Sequence, residues 1–170
     1  MVRSVRYSVD STHTQTWLPE IGKLIVNFGA IEAHTYWWIA ALSGDVSKAR
    51  EVLKKGILFA RRVDMVEKLL KSPKWDPIRT DAIEIWEKAR DLSRIRNGIA
   101  HSPLVFHVPE NGETADWVGI PDFGRLRKVE SESQSIINSQ ELKEAINEAA
   151  TTAQDLWGLL EQIDRIADDA

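Results

Sequence analysis

The segment SRIRNGIAHSP at 93–103 holds an arginine, an asparagine and a histidine, residue types that can act on a phosphate ester. A histidine with an ordinary pKa of about 6.5 can transfer a proton near neutral pH. An arginine can stabilise the negative charge that develops on phosphate oxygens, and an asparagine can orient either group. RNA carries its own nucleophile, since its 2′-hydroxyl can attack the adjacent phosphate, so RNA is one phosphate ester on which such side chains can act.

Four polar residues in and before this segment recur at spacings of four, three and four: Arg90, Arg94, Asn97 and His101. At about 100° per residue, all four positions fall within roughly 60° of one another on a helix. A solvated face is the ordinary interpretation of such a row. Two arginines beside a titratable histidine also suit a phosphate-binding surface. Arg90 and Arg94 are therefore candidates for binding a substrate.

Two charged residues fall on apolar helix stripes. Arg96 lies about 40° from Leu92 on one predicted helix, and Glu32 lies about 40° from Phe28 on another. A lone buried charge is costly, so one interpretation joins Glu32 and Arg96 in a structural ion pair. In the alternative interpretation, each long side chain reaches the rim of the fold and meets water.

The spacing of Arg96 and His101 raises a geometric conflict. The two positions are five apart in the sequence, which places them about 140° apart around an ideal helix. Either the helix loosens at its end, helped by Gly98, a poor helix former, or Arg96 is structural and Arg94 faces His101.

A hydrophobic period of 3.6 residues predicts the elements that position these side chains. Long helices are expected at 18–42, 46–71, 77–101 and 139–167, after a loosely held polar arm at 1–14. Residues 104–132 contain β-branched and aromatic runs around the Asn-Gly of PENGET, which predicts a short β-hairpin-type insertion before the last helix. The predicted fold is all-α, a four-helix bundle in a single domain spanning 1–170.

Composition excludes several classes of function. The chain of 170 residues has no cysteine, so it can form neither disulfides nor thiolate metal sites. Its net charge of −4 argues against bulk electrostatic coating of nucleic acid. The longest apolar stretch, YWWIAAL, is too short to span a bilayer, and the N-terminus lacks the apolar core of a signal peptide. A soluble cytoplasmic protein with no membrane partner is expected.

The remaining chemistry-bearing residues give weaker signals. The histidines at 13, 34 and 107 lack the spacing of a zinc site, and no phosphate-binding loop motif occurs, so no metal or cofactor is expected. Arg61 and Arg62 are interpreted as solvated charges. Trp37 and Trp38 point about 100° apart on a helix. Either one of them reaches a partner surface, which favours a dimer, or both belong to a wide apolar face.

RNGIAH at 96–101 resembles the motif of the HEPN superfamily, in which four to six residues, the first of them polar, lie between an arginine and a histidine. The lead-in ARDLSRIRNGIAHSP on the third predicted helix is also similar to that superfamily. So is NFGAIEAHTYWWIAAL on the first, where an aromatic residue precedes an acidic one. The resemblance covers roughly 17–105 and 138–167.

The resemblance implies a metal-independent endoribonuclease that acts as a homodimer, of toxin or phage-defence type, with RNA as substrate and an antitoxin as a candidate protein partner. By the same resemblance, Arg96, Asn97 and His101 are the candidate catalytic residues. Other HEPN domains are non-catalytic binding or dimerisation modules, so that alternative stays open. In a third interpretation, the RNxxxH element is structural and holds two helices together through Glu32.

Overall fold

The computed structural model describes residues 3–6, 12–101, 105–108, 117–120 and 135–168. Side-chain burial is defined for 15–100, Ile137 and 139–168. These residues form mainly α-helix, so the helical character predicted from the sequence is confirmed. The helices are α1 (Thr12–Ser43), α2 (Val46–Lys54), α3 (Phe59–Leu69), α4 (Asp76–His101) and α5 (Ser139–Asp168), with a 3₁₀ turn at Pro73–Trp75. Within these described ranges, none of the helices is long and apolar enough to cross a membrane.

The helix predicted at 46–71 is two helices, because the chain breaks at Gly56. This glycine has a φ of 59°, in the left-handed region that residues with a Cβ rarely adopt. Gly44 ends α1 in the same way, with a φ of 63°. Asp45 then starts α2 by accepting a 2.8 Å hydrogen bond from the backbone N–H of Ser47.

Four short strands form one antiparallel sheet in the order β1 (Arg3–Arg6), β2 (Val105–Val108), β3 (Trp117–Ile120) and β4 (Ser135–Asn138). Arg3 pairs with Val108, Val105 with Gly119, and Trp117 with Asn138. β2 and β3 come from the predicted insertion, whose PENGET turn lies outside the described residues.

Two expectations for the N-terminal arm and the last helix need correction. Residues 3–6 of the supposed loose arm form β1, and α1 begins at Thr12 rather than near residue 18. Strand β4, which leads directly into α5, was not predicted at all. β1 pairs with a strand about 100 residues later, and both strands have only four residues, so no local periodicity marks them.

The chain divides into two compact units, each built from two stretches of sequence. The first unit comprises Met1–Val26 and Ser93–Glu148, and the second comprises Asn27–Leu92 and Ala149–Ala170. The boundaries fall inside α1, α4 and α5. The single domain over 1–170 stays a prediction.

Perpendicular aromatic rings dominate the core of the second unit. Trp38 and Trp86 are both fully buried, with ring centroids 5.5 Å apart and planes at 89°. Trp38 Nε1 donates a 3.2 Å hydrogen bond to the carbonyl oxygen of Leu156 on α5. Phe28 and Phe59 form a second edge-to-face pair at 5.1 Å. Edge-to-face contacts place the positive edge of one ring against the negative face of the other. Each pair therefore stabilises the core by more than the burial of its apolar area alone.

Buried apolar residues of the first unit come from its helices and from β4. They are Trp17, Leu24, Ile99, Ile137, Leu142, Ala145 and Ile146. Leu142, Ala145 and Ile146 belong to α5, whose bounds at Ser139–Asp168 match the helix expected at 139–167 closely.

Candidate functional site

The end of α4 carries the RNxxxH element, and its helix is unbroken through His101. Gly98 therefore does not loosen the helix, and the first of the two solutions to the spacing conflict is not observed. On a regular helix, positions 94 and 101 lie within about 20° of each other, whereas 96 and 101 stay about 140° apart. The backbone thus places Arg94, rather than Arg96, on the same face as position 101.

The candidate residues differ in how far they meet solvent. Arg94 and Asn97 are exposed, whereas Arg96 is partly buried. The amide nitrogen Nδ2 of Asn97 donates a long hydrogen bond of 3.4 Å to Ser93 Oγ, one turn earlier. His101 is the last residue of α4, and its side chain lies outside the described residues. The candidate catalytic role of Arg96, Asn97 and His101 stays a prediction.

Arg90 is held by two carboxylates of α3. Its Nη2 donates to Asp64 Oδ1 at 2.8 Å and to Glu67 Oε1 at 2.9 Å. Partial burial lowers the pKa of the Arg90 guanidinium, but the hydrogen bonds that it donates to Asp64 and Glu67, together with their negative charges, outweigh this effect and raise the pKa overall. Arg90 therefore links α3 to α4. A substrate phosphate would have to compete with Asp64 and Glu67 for its guanidinium.

The expectation that Arg62 is solvated is wrong. Its side chain is only 9% exposed and lies on the core face of α3. Nη2 donates to Glu32 Oε1 at 3.3 Å, and Nη1 donates to the hydroxyl of Tyr36. The guanidinium carbon also lies 4.7 Å from the centroid of the Tyr36 ring and 5.8 Å from that of Phe59. These contacts stabilise the buried Arg62 cation through an ion pair, hydrogen bonds and aromatic ring faces.

A sequence signal for Arg62 existed, because Arg62 lies about 60° from Phe59 on the helix and borders the apolar stripe. The adjacent Arg61 made the pair look like a surface run. Glu32 thus has an ion-pair partner that the sequence interpretation did not name. The ion pair between Glu32 and Arg96 stays a prediction.

Replacing Glu32 with leucine is expected to lower the free energy of unfolding by about 2–3 kcal/mol, because it leaves the Arg62 charge buried without its carboxylate. The Glu32 side chain is 34% exposed, which keeps the loss below that of a fully buried pair. Adding Arg62→Met should restore most of the stability, since an apolar pair needs no charge partner. Chemical denaturation of the two variants measures both steps.

The exposed Glu51–Lys55 pair of α2 provides the control for this experiment. Glu51→Leu should change stability little, because both partners are well hydrated without each other. A double variant of Glu32 and Arg62 no more stable than Glu32→Leu alone would show that the buried charge is not the cause of the loss.

A second cluster joins three aromatic rings of α1 and α5. The His34 and Trp37 rings lie 4.9 Å apart at 90°, and Trp37 and Trp157 lie 5.9 Å apart at 84°. Trp37 is 48% exposed and Trp157 51%, whereas Trp38 is fully buried. Adjacent tryptophans therefore separate as helical geometry requires, with Trp37 facing outward. Whether Trp37 meets a partner surface stays a prediction.

His34 is buried behind the two exposed indoles. Burial lowers the pKa of the imidazole, and a hydrogen bond with the backbone of Ala153 opposes this shift only in part. Its Nδ1 is buried with no hydrogen-bond partner in the part of the chain that the structure describes. The surroundings of His34 therefore favour its neutral imidazole over the charged form.

Acidification is expected to destabilise the chain through His34. Above the unfolded pKa of about 6.5, both states are neutral and His34 has no effect. Below it, the unfolded chain binds a proton that the folded chain resists, so stability falls by up to about 1.4 kcal/mol per pH unit. The decline should stop once pH passes the lower folded pKa. Denaturation of wild type and His34→Gln between about pH 7.5 and about pH 5.5 tests this, since the variant should lose less. Equal pH dependence in both chains would contradict it.

Two further features of the described residues concern metal binding and a polar groove. Within 12–101 and 135–168, no group of three or more histidine or acidic side chains is arranged to hold a metal ion. A polar groove of about 460 Å³ between α4 and α5 of the second unit is lined by Asp81, Glu84, Asp155 and Lys88, among others. Three carboxylates against one lysine would repel a phosphate backbone, so this groove does not suit RNA.

Comparisons with protein-family models, with curated proteins and with solved structures gave no match to the chain.

Proposed function

We propose that the chain is a HEPN-like helical protein that cleaves RNA as a homodimer without a metal ion. The observation that supports this proposal best is the unbroken course of α4 through His101. It aligns position 101 with Arg94 and Asn97, which are both exposed. A cationic, an amide and an imidazole group would then share the end of one helix face, a combination suited to cleavage of a phosphodiester.

The proposed reaction is an internal transesterification. His101 of one subunit removes the proton from the 2′-hydroxyl, whose oxygen attacks the adjacent phosphorus. The bond from phosphorus to the 5′-oxygen breaks, and the partner subunit's His101 donates a proton to that oxygen. The products are a 2′,3′-cyclic phosphate and a 5′-hydroxyl. Arg94 stabilises the charge on the non-bridging oxygens, and Asn97 orients the phosphate.

The dimer follows from the number of histidines in the row. One chain supplies a single imidazole at this helix end, whereas the reaction needs both a base and an acid. A two-fold axis places the same patch of both subunits face to face, and so supplies two imidazoles. Arg96, the arginine of the superfamily motif, would then lie off this face and position α4 from behind.

An RNA oligonucleotide incubated with the chain in excess EDTA tests the proposal. Cleavage should persist with the chelator and should yield cyclic phosphate ends, identified by mass spectrometry. A 2′-O-methyl substitution at the cleaved position should abolish the cut, because it removes the nucleophile. Cleavage that requires a divalent ion, or that survives 2′-O-methylation, would exclude this chemistry.

A non-catalytic helical module is the second candidate, and the Arg90 ion pairs favour it. Asp64 and Glu67 hold one of the two arginines that the row offers to a substrate. In that case, the RNxxxH element would bind a protein partner, such as an antitoxin, or would have a purely structural role. A folded wild-type chain that leaves RNA intact, together with a lower melting temperature for Arg90→Ala or Arg96→Ala, would favour this candidate.

A further inference from the structure

An open apolar groove in the second unit is separate from the candidate RNA site. It has a volume of about 570 Å³, within the range of small-molecule sites. Helices α1, α2 and α5 form it, with Trp37, Ala41, Val46, Trp157, Leu160 and Asp164 in its lining. We propose that this groove binds a small organic cation, an alkylated ammonium group on an apolar stem. The proposal does not depend on RNA cleavage.

The two indoles of the groove form a corner suited to an ammonium group. Trp37 and Trp157 stand nearly perpendicular, with centroids 5.9 Å apart and about half of each side chain exposed. A cation seated in that corner lies within about 6 Å of both rings, where the negative ring faces attract it. Trp157 is held in place, because its Nε1 donates a 3.0 Å hydrogen bond to Glu161 Oε1.

The charge of the lining selects a positive ligand. Among the described residues, Asp164 is the single charged side chain in the groove, and the other lining residues are apolar or glycine. Its carboxylate can balance an ammonium charge while the indole, valine and leucine surfaces cover methyl groups. His34, which backs the Trp37 ring, has a pKa lowered by burial, so it adds no competing positive charge near neutral pH.

The size and the single carboxylate favour a small cation over a peptide or a second copy of the chain. A protein interface of standard size buries about 800 Å² on each partner. This groove instead presents one corner and one charge. An apolar partner surface would gain nothing from Asp164 and would leave its carboxylate poorly hydrated.

Titration with choline and with its uncharged carbon isostere, 3,3-dimethylbutan-1-ol, tests the proposal. The indole N–H signals of Trp37 and Trp157 should shift in nuclear magnetic resonance spectra, once assigned by Trp→Phe substitution. Choline should bind about 3- to 30-fold more tightly than the isostere, since only the cation is attracted to the ring faces.

Four variants sharpen the result. Trp157→Leu keeps apolar surface but removes a ring face, so it should abolish the preference for choline, whereas Trp157→Phe should retain part of it. Asp164→Asn should weaken the binding of choline several-fold and leave the binding of the isostere unchanged. Leu58→Ala, an exposed residue outside the groove, should bind as wild type does. Because the two indoles are half exposed, circular dichroism should show folded variants.

Three outcomes would overturn the proposal. The first is equal binding of choline and the isostere, which would mean a plain apolar surface. The second is the absence of any shift of the two indole signals at saturating concentrations of probe. The third is self-association in analytical ultracentrifugation that Trp157→Leu abolishes and choline does not affect, since a second copy would then occupy the groove.

Discussion

Replacing His101 with alanine is expected to reduce metal-independent cleavage of RNA by about 10,000-fold or more, because one general acid or base alone usually contributes about 100- to 10,000-fold. In the proposed dimer, both proton transfers pass through this residue, one in each subunit. Its loss therefore removes the base and the acid together. Cleavage rates under single-turnover conditions, in EDTA and with a fixed RNA oligonucleotide, measure the effect on the chemical step.

The control for this variant comes from the opposite side of the same helix. Lys88 is exposed and lies about 160° from Arg90 around α4, so Lys88→Ala changes the charge of the helix without touching the row. It should retain activity. Equal rates for wild type and His101→Ala would eliminate the imidazole from the mechanism, whatever the source of the cleavage.

The same assay distinguishes the roles of Arg94 and Arg96. If Arg94 stabilises charge on the phosphate, Arg94→Ala should slow cleavage at unchanged melting temperature. Arg96 is partly buried, so Arg96→Ala should act mainly on stability. The reverse pattern would return Arg96 to the role that the superfamily motif implies, and would require α4 to change its course near Gly98 when RNA binds.

The helices were largely predictable because their signals are local. The bounds of α4 and α5 follow from apolar residues at intervals of three and four, and they agree with the expectation within one residue. The break between α2 and α3 was not recognised, because the apolar seam continues across it. Gly56 lies on that seam, and its conformation rather than its polarity ends the helix.

The sheet was harder to predict because its stability comes from distant pairing. Arg3–Arg6 has no apolar run of its own, yet it pairs with β2 about 100 residues later. Ser135–Asn138 is likewise too short to show a period. A local analysis can find an Asn-Gly signal between two apolar runs, but it cannot tell which further segments extend the sheet.

The residues of the candidate site were found by type and spacing, and their partners were not. Spacing identified the row on α4, but it could not show that Asp64 and Glu67 hold Arg90. Nor could it show that Arg62 lies beside Glu32. Such contacts depend on how helices pack, and one helix read alone carries no information about its neighbour. The exposed Trp37 and Trp157 show the same point, since 120 positions separate them in the chain.

Replacing Trp86 with alanine is expected to lower the free energy of unfolding by about 3–5 kcal/mol, the usual loss for a large buried aromatic residue. Its side chain is fully buried, perpendicular to Trp38 at 5.5 Å and tilted against Phe59 at 6.5 Å. Alanine would leave a cavity bordered by rigid rings, which cannot collapse into it without leaving their edge-to-face geometry. Chemical denaturation followed by far-ultraviolet circular dichroism measures the change.

Trp86→Phe separates the contribution of the ring from that of the indole N–H. The Nε1 of Trp86 is buried with no hydrogen-bond partner in the described ranges, so the indole pays a desolvation cost that phenylalanine avoids. Trp86→Phe should therefore lose much less stability than Trp86→Ala, although phenylalanine is smaller than tryptophan. Trp157→Ala, which removes a half-exposed indole, should cost about 1 kcal/mol. If Trp86→Ala cost no more than Trp157→Ala, the Trp38–Trp86 contact could not be a main source of stability in the second unit.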